Sequence, residues 1–425
     1  MVKRFLFGIL GAASFSYAWN GTVALWLGRY DQVTWEVENP EVPAPPGNSG
    51  PYRVRVVDTR RVVPSEGMNP DVNVQNANNN LHAVRHTDGR VYLAWRSAPT
   101  HFASEFAEII VASSEDEKNW RNEASFSMST DLREPQLASL NGRLHLYVSK
   151  LGANAFDFAP AGVYVATRSE SGVWSKLSEL GLPGQIAWSV RSQGSFALMS
   201  AYKGGENMYA LFPEPLSVNL LASSDGVSFR PWYPGSAPFY QGGASETDFA
   251  VTDSGSFLTV MRNEAGDATG FGSIVCERAR PKAGVAPICR SDPRKFDSPR
   301  LFRFARETYL IARRNVTDTG VFDQPPGFFN RGPLRRGVNQ LKYIVERKRC
   351  SVWHYVAQEQ RFTFELDLPS RGDTCFASIL RGSNPSEVVV YDYSSDIQGP
   401  DVPWTVGQRS PTFIYRHVLD FHPPP

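Results

Sequence analysis

The feature that most constrains this chain is a hairpin written six times. Its clearest copy, Ser245 to Asn263, reads SETDFAVTDSGSFLTVMRN. Glu246 opens a short strand, Asp253-Ser254-Gly255 turns the chain, and Phe257 to Met261 runs back to bring Arg262 beside Glu246. Short β-branched and aromatic runs around a glycine-containing turn mark a β-hairpin. The same grammar recurs over Asn80–Ser97, Arg133–Lys150, Gln185–Lys203, Ser298–Asn315 and Asp373–Ser395. One hairpin cannot bury both its faces, so a β unit repeated in this way predicts an all-β, six-bladed β-propeller. Third strands are expected at Glu108–Ala112, Gly162–Arg168, Asn219–Ala222, Gly272–Glu277, Leu341–Arg347 and Thr412–Val418. Tyr52–Val63 alternates and is expected to be the outermost strand of the last blade, closing the ring between the two termini. No long amphipathic helical pattern is evident, and Arg331–Arg336 reads as a solvated insertion over the channel mouth.

A propeller spanning residues 52–425 uses most of the 425 residues as one domain. The net charge of +1 and the lack of a basic stripe with interleaved aromatics argue against a nucleic-acid partner. Lys3 and Arg4 precede FLFGILGAASFSYA, and Ser16-Tyr17-Ala18 resembles a cleavage site, so residues 1–18 read as an export signal. The alternative is an uncleaved anchor over residues 5–27, because no charge falls between Arg4 and Arg29. Either way the body is expected outside the cytoplasm, secreted or periplasmic, with the membrane involved only through that anchor. Residues 19–51 form a linker that ends in the Pro- and Gly-rich run NPEVPAPPGNSGP. Four cysteines fit an oxidising compartment. Local pairing of Cys276 with Cys289 and of Cys350 with Cys375 would clip two excursions, although other pairings are possible. Their spacing matches no zinc site, and neither metal nor cofactor is expected.

Side chains alternate along a strand, so equivalent positions of successive hairpins should meet at one rim of the channel. Those positions are Arg96, Lys150, Tyr202, Arg262, Arg314 and Tyr393, with Arg133, Glu246, Asp297 and Asp373 at the strand heads. Such a rim suits a glycan with an anionic sugar, since arginine forks pair with carboxylates. A carboxylate beside a tyrosine would be able to take its proton. Each group also has a plainer reading. Glu246 and Arg262 would pair structurally, Arg96 and Arg314 would pair with Asp131 or Asp297, Asp373 would cap a turn, and Tyr393 would pack its strand.

A second signature follows the third strands. Ser223 to Phe229, SSDGVSF, resembles the Asp box of sialidases with its spacing compressed; Ser113 to Trp120, SSEDEKNW, and Ser169 to Trp174, SESGVW, are weaker copies. Over roughly residues 80 to 400 the chain is similar to the sialidases, six-bladed propellers that remove terminal sialic acids. Glu246 with Arg262-Asn263 matches a glutamate that assists a tyrosine nucleophile and an arginine that grips the sugar carboxylate. Arg96-Ser97 with Ala107-Glu108-Ile109-Ile110-Val111 matches a blade-one pattern, and Arg314-Asn315 repeats the Arg-Asn ending. The resemblance implies an exo-glycosidase, with Glu246, Asp373, Tyr393 and His101 as candidate catalytic groups and Arg96, Arg133, Arg262, Arg314 and Asp297 as candidate substrate-binding groups. The chain departs from the pattern in three places. An Arg-Ile-Pro motif is missing; the loop Ala98–Glu105 offers His101 or Glu105 where an acid aspartate is expected; and Phe376 stands near the place of the nucleophile. A glycan- or protein-binding propeller without catalysis is therefore the second reading.

Overall fold

Each of the six hairpins is present and continues outward into further strands. The computed structural model describes residues 51–423 except 155–158, 205–213, 233–237, 252–256, 279–287, 318–319 and 324–331. The N-terminal signal or anchor, almost all of the linker and the Asp253–Gly255 turn lie outside the described residues. In chain order, β1 (Arg53–Val63) precedes β2–β5 (Ala77–Arg85, Val91–Ala98, Glu108–Ser114, Arg121–Phe126) and β6–β9 (Leu132–Leu140, Arg143–Lys150, Gly162–Arg168, Ser178–Pro183). Next come β10–β14 (Gln185–Gln193, Phe196–Lys203, Leu216–Ser223, Arg230–Pro231, Tyr240–Gly242) and β15–β18 (Ala244–Val251, Phe257–Asn263, Ser273–Arg278, Ile288–Asp292). The chain ends with β19–β22 (Asp297–Phe304, Glu307–Asn315, Lys348–Val356, Arg361–Asp367) and β23–β25 (Ser378–Arg381, Glu387–Ser395, Thr412–His422).

Among the described residues the named strands pair as antiparallel meanders, except where Ala77 of β2 lies parallel to Thr412 of β25 and joins the first unit to the last. The outer partner of β25 is β1, with Arg53 opposite His422 and Val63 opposite Ile414. This is the pairing expected of Tyr52–Val63. The innermost strands β2, β6, β10, β15, β19 and β23 touch in that order, and β23 touches β2. Apolar side chains fill the layers between successive sheets. Leu144, Leu146 and Val148 of β7 face Ile109 and Val111 of β4, while Trp95 and Ile110 pack with Tyr391, Tyr393 and Ile414 from the C-terminal strands. Each such large side chain contributes about 1.5–3 kcal/mol by leaving water.

Two turns that follow third strands are built alike. Asp225 Oδ1 accepts the Ser223 hydroxyl at 2.7 Å and the backbone N–H groups of Val227 and Ser228 at 2.9 and 2.7 Å. Asp116 Oδ1 likewise accepts from Ser114, Lys118 and Asn119. The aromatics that end them go inward: Phe229 meets Tyr147 edge-on, and Trp120 meets Tyr391. Where one turn has Gly226 at φ +79°, the other places Glu117 at φ +58°, a left-handed conformation rarely taken by a residue with a side chain.

The expected disulfides form, Cys276 to Cys289 and Cys350 to Cys375. The first joins directly opposed residues of β17 and β18. The second ties β21 to the approach to the last hairpin.

Three expectations fail in one place. Leu341–Arg347 is not a third strand, Arg331–Arg336 is not merely a solvated loop, and an amphipathic helix does exist. Helix α1 (Gly332–Val345) occupies this stretch, a short helix α2 (Trp404–Gly407) lies against it, and the third strand is β21. Apolar residues recur at Leu334, Val338, Leu341 and Val345, with Tyr343 on another face, which is a helical and not an alternating period. Asn315, in a glycosylation sequon, is buried and donates to Glu346, so it is not presented as an acceptor. Among the described residues, no helix is long and apolar enough to cross a membrane.

Candidate functional site

The site begins with an irregularity that the hairpins share. Their register slips between Asn79 and Leu81, Arg133 and Gln136, Ala187 and Ser189, Ala244 and Thr247, and Asp297 and Arg300. In the last hairpin, Thr374 faces Ser394 and Ser378 faces Tyr391, four steps against three. A β-bulge of this kind turns a side chain off the ladder. Asn80, Glu134, Trp188, Glu246, Ser298 and Phe376 lie within these bulges, one in each unit. Asn80, Glu134 and Ser298 adopt positive φ, at 44°, 53° and 49°.

These residues meet in a hub. Asn80 Nδ2 donates to Glu134 Oε2 at 2.8 Å, and the Ser298 N–H donates to Glu246 Oε2 at 2.6 Å. Trp188 and Phe376 pack with ring centroids 4.8 Å apart, and the Arg300 guanidinium lies over both rings. Arg300 also donates to the carbonyls of Trp188 and Ala377 and to Gln136 Oε1 at 3.3 Å. It plugs the centre, and burial lowers its pKa to about 10.

Glu246 Oε1 accepts from Arg262 Nη1 at 2.7 Å, and Arg262 also lies 3.1 Å from Glu264 and 3.4 Å from Asp297. Burial pushes the Glu246 carboxyl up against the opposing pull of Arg262 and Arg313. Burial likewise raises Glu134 to about 7, with the Glu246 charge adding to the rise and the Asn80 bond opposing it. Glu134 and Glu246 retain 9% and 8% exposure and so touch solvent, whereas Asp131, Asp297 and Asp373 have none.

On the other side of the hub, Asp373 gathers three groups. His101 Nδ1 is 2.7 Å from Asp373 Oδ2, while Tyr393 Oη and Trp404 Nε1 donate to Oδ1 at 3.1 and 3.0 Å. Burial and the Asp373 charge raise Tyr393 well above an ordinary phenol, so it stays protonated. Burial lowers His101, against the pull of Asp373. Arg313 connects the halves: its field acts on both Tyr393 and Glu246, it donates to the Thr374 carbonyl at 3.1 Å, and it lies over Trp404. Tyr343 of α1 covers Arg262 and meets Trp404 edge-on, so α1 and α2 form a roof.

The expected residues therefore separate. Glu246, Arg262, Asp297, Asp373, Tyr393, His101 and Arg133 belong to this network, with Arg133 holding the His101 carbonyl and pairing with Asp131. Arg96 is fully buried; it pairs with Asp131 at 2.7 Å and holds the carbonyls of Thr100 and Phe102, so it shapes the loop that carries His101. Arg314 turns away from the hub and forms a two-bonded fork with Asp367 of β22, at 2.8 and 2.5 Å. Strand alternation puts its neighbour Arg313 inside instead. The arginines thus do not converge as free forks; each has protein partners. Glu134, Trp188, Arg300 and Arg313 were not expected from the sequence. The available signal was Pro135 and Pro299, since a proline inside an otherwise central strand marks a bulge. Among the described residues, the one cluster suited to a metal is Cys350, Cys375 and Asp392, and its two sulfurs are joined to each other.

No family model and no curated protein matches the chain by sequence. Solved structures do match by shape. A protein of unknown function from Dyadobacter fermentans aligns over 87% of this chain and 99% of its own, at 13% identity and TM-score 0.57. Trypanosoma rangeli sialidase aligns over 81% of this chain and 55% of its own, at 12% identity and TM-score 0.52. The alpha-L-arabinofuranosidase of Fusarium graminearum, solved with an iminosugar inhibitor, aligns over 81% and 93%, at 10% identity and TM-score 0.50. At these identities the likeness is one of fold. The all-β architecture of this chain is shared with glycoside hydrolases of propeller type.

Proposed function

We propose that the six units form a closed six-bladed propeller over residues 52–425, exported by the N-terminal segment, and that the hub is the active centre of an exo-acting glycoside hydrolase. One observation carries this reading: the bulges bring two carboxyls, Glu134 and Glu246, from separate hairpins into one hub, largely buried but with a small part of each open to solvent. Their surroundings suggest the division of labour. Burial pushes the Glu246 carboxyl up, but Arg262 holds it by a direct bond and opposes that push, and we assign it the role of base or nucleophile. Glu134 has an amide for a partner and a pKa near neutrality, which suits the proton donor. Paired carboxyls of opposite protonation are the usual equipment for cleaving a glycosidic bond. Tyr393, His101 and Asp373 fit a supporting role better, because Tyr393 holds its proton tightly. Because Arg133 and Arg262 already have carboxylate partners, the charge of the terminal sugar is left to the substrate panel.

A panel of fluorogenic aryl glycosides, with sialosides and arabinofuranosides among them, tests the proposal. Turnover of at least one member, lost in Glu246→Gln and Glu134→Gln, is the expected outcome. No turnover by the wild type on any member counts against it. The second reading, a glycan-binding propeller without catalysis, is favoured by Arg300 filling the hub and Phe376 standing where a hydroxyl is needed.

A further inference from the structure

The loop that presents His101 to the hub also contributes Pro99, Glu105 and Phe106 to a second concavity. Gln75, Pro99, Glu105, Phe106, Glu108, Ser127 and Ser129 line a cavity of about 440 Å³. Its floor is fixed. Arg96 holds the Thr100 and Phe102 carbonyls, Arg133 holds that of His101, and Gln75 Nε2 donates to that of Phe106 at 2.8 Å. Ser104 bridges to Asn154, and the His101 N–H donates to the Gln408 carbonyl. On this anchored loop Phe106 is 67% exposed. An aromatic ring held outward on a rigid support, next to hydroxyl, amide and carboxylate groups, combines an apolar platform with a few directional polar contacts. That pairing matches a pyranose, which has a C–H face and a rim of hydroxyls. No cation is among the lining residues, and Glu105 and Glu108 have no ion pair among the described residues. The cavity therefore disfavours an anionic sugar and accepts a neutral or amino sugar.

We infer that this cavity is a subsite for a neutral or amino sugar next to the terminal residue held at the hub, so that the substrate is an oligosaccharide laid across the His101 loop. The inference rests on the glycosidase reading for the hub, but its sugar-binding part can be tested separately. The full exported chain is titrated with lactose, chitotriose and 3′-sialyllactose by saturation-transfer NMR, and the best binder is then supplied as an aryl glycoside. Saturation transfer to a neutral or amino sugar ring is expected. Phe106→Ala combined with Glu108→Gln should raise KM for the oligosaccharide glycoside about tenfold, more than for the matching aryl monosaccharide. Binding that depends on Phe106 without any hydrolysis would support the subsite and overturn the glycosidase reading. Hydrolysis whose KM values respond equally for both substrates, or no binding of any of the three sugars, would overturn the subsite.

Discussion

Glu134 is the residue on which the proposed chemistry turns. Its folded pKa of about 7 stands above its ordinary 4.5, so the folded state holds a proton that the unfolded chain gives up. That contribution is complete below about pH 4.5 and is lost as the pH rises through 7; it amounts to about 3 kcal/mol. Glu134→Gln keeps the acceptor for Asn80 and removes the titration. Urea denaturation as a function of pH should show stability falling less between pH 4.5 and 7 in the variant than in the wild type. In the glycosidase reading the same variant loses about a hundredfold or more in kcat. Arg96 supplies the contrast. Its partner Asp131 has no solvent access, so Arg96→Leu leaves that buried carboxylate with Arg133 as its remaining cation, strips the Thr100 and Phe102 carbonyls of their donor, and should cost about 3 kcal/mol. Urea denaturation at neutral pH measures that loss. At this scale the sequence was partly legible. Glu246 and Arg262 announce themselves by starting and ending one hairpin. Arg314 misled because alternation along β20 puts its neighbour Arg313 on the hub side instead, and strand register is invisible in a single sequence.

Among the elements, the strands were legible because the alternation of apolar residues and the punctuation of turns are local properties. Helix α1 was not. Its apolar residues include β-branched valines, its length is that of a strand and a turn together, and it interrupts a repeat that otherwise has no helices. Its residue Tyr343 nevertheless roofs the hub. The Cys350–Cys375 bond is the clip between β21 and the last hairpin, which carries Asp373, Phe376 and Tyr393. It closes a span of 25 residues, for which chain entropy gives about 3 kcal/mol. A Cys350→Ala/Cys375→Ala variant should lose about that much by thermal or urea unfolding, measured without reductant so that the Cys276–Cys289 bond stays closed in both proteins.

For the whole molecule, the seam between the termini decides whether the hub stays assembled. Glu117, from the turn with the left-handed residue, fastens it. Its carboxylate lies 2.9 Å from Arg85 of β2 and 2.7 Å from Arg416 of β25, accepts the Tyr391 hydroxyl at 2.9 Å, and its backbone carbonyl accepts from Arg60 of β1. Burial acts to raise this carboxyl, but Arg416, Tyr391 and Arg85 overcome it and hold the group below its ordinary range. Its contribution is present above the ordinary 4.5 and is lost as the pH falls through the lowered value. Glu117→Ala should cost about 3 kcal/mol at neutral pH, with β1 protected less from hydrogen exchange than in the wild type. That seam brings Asp373 of the last unit against His101 of the first, so the proposed closure and the proposed chemistry stand on the same contacts.

The pH dependence of kcat/KM, on whichever glycoside is turned over, tests the account most directly. The account predicts a bell whose alkaline limb falls near pH 7 as Glu134 gives up its proton, with that limb absent from the residual activity of Glu134→Gln. An alkaline limb that is the same in the variant, or a wild type that cleaves no glycoside at any pH, would contradict it.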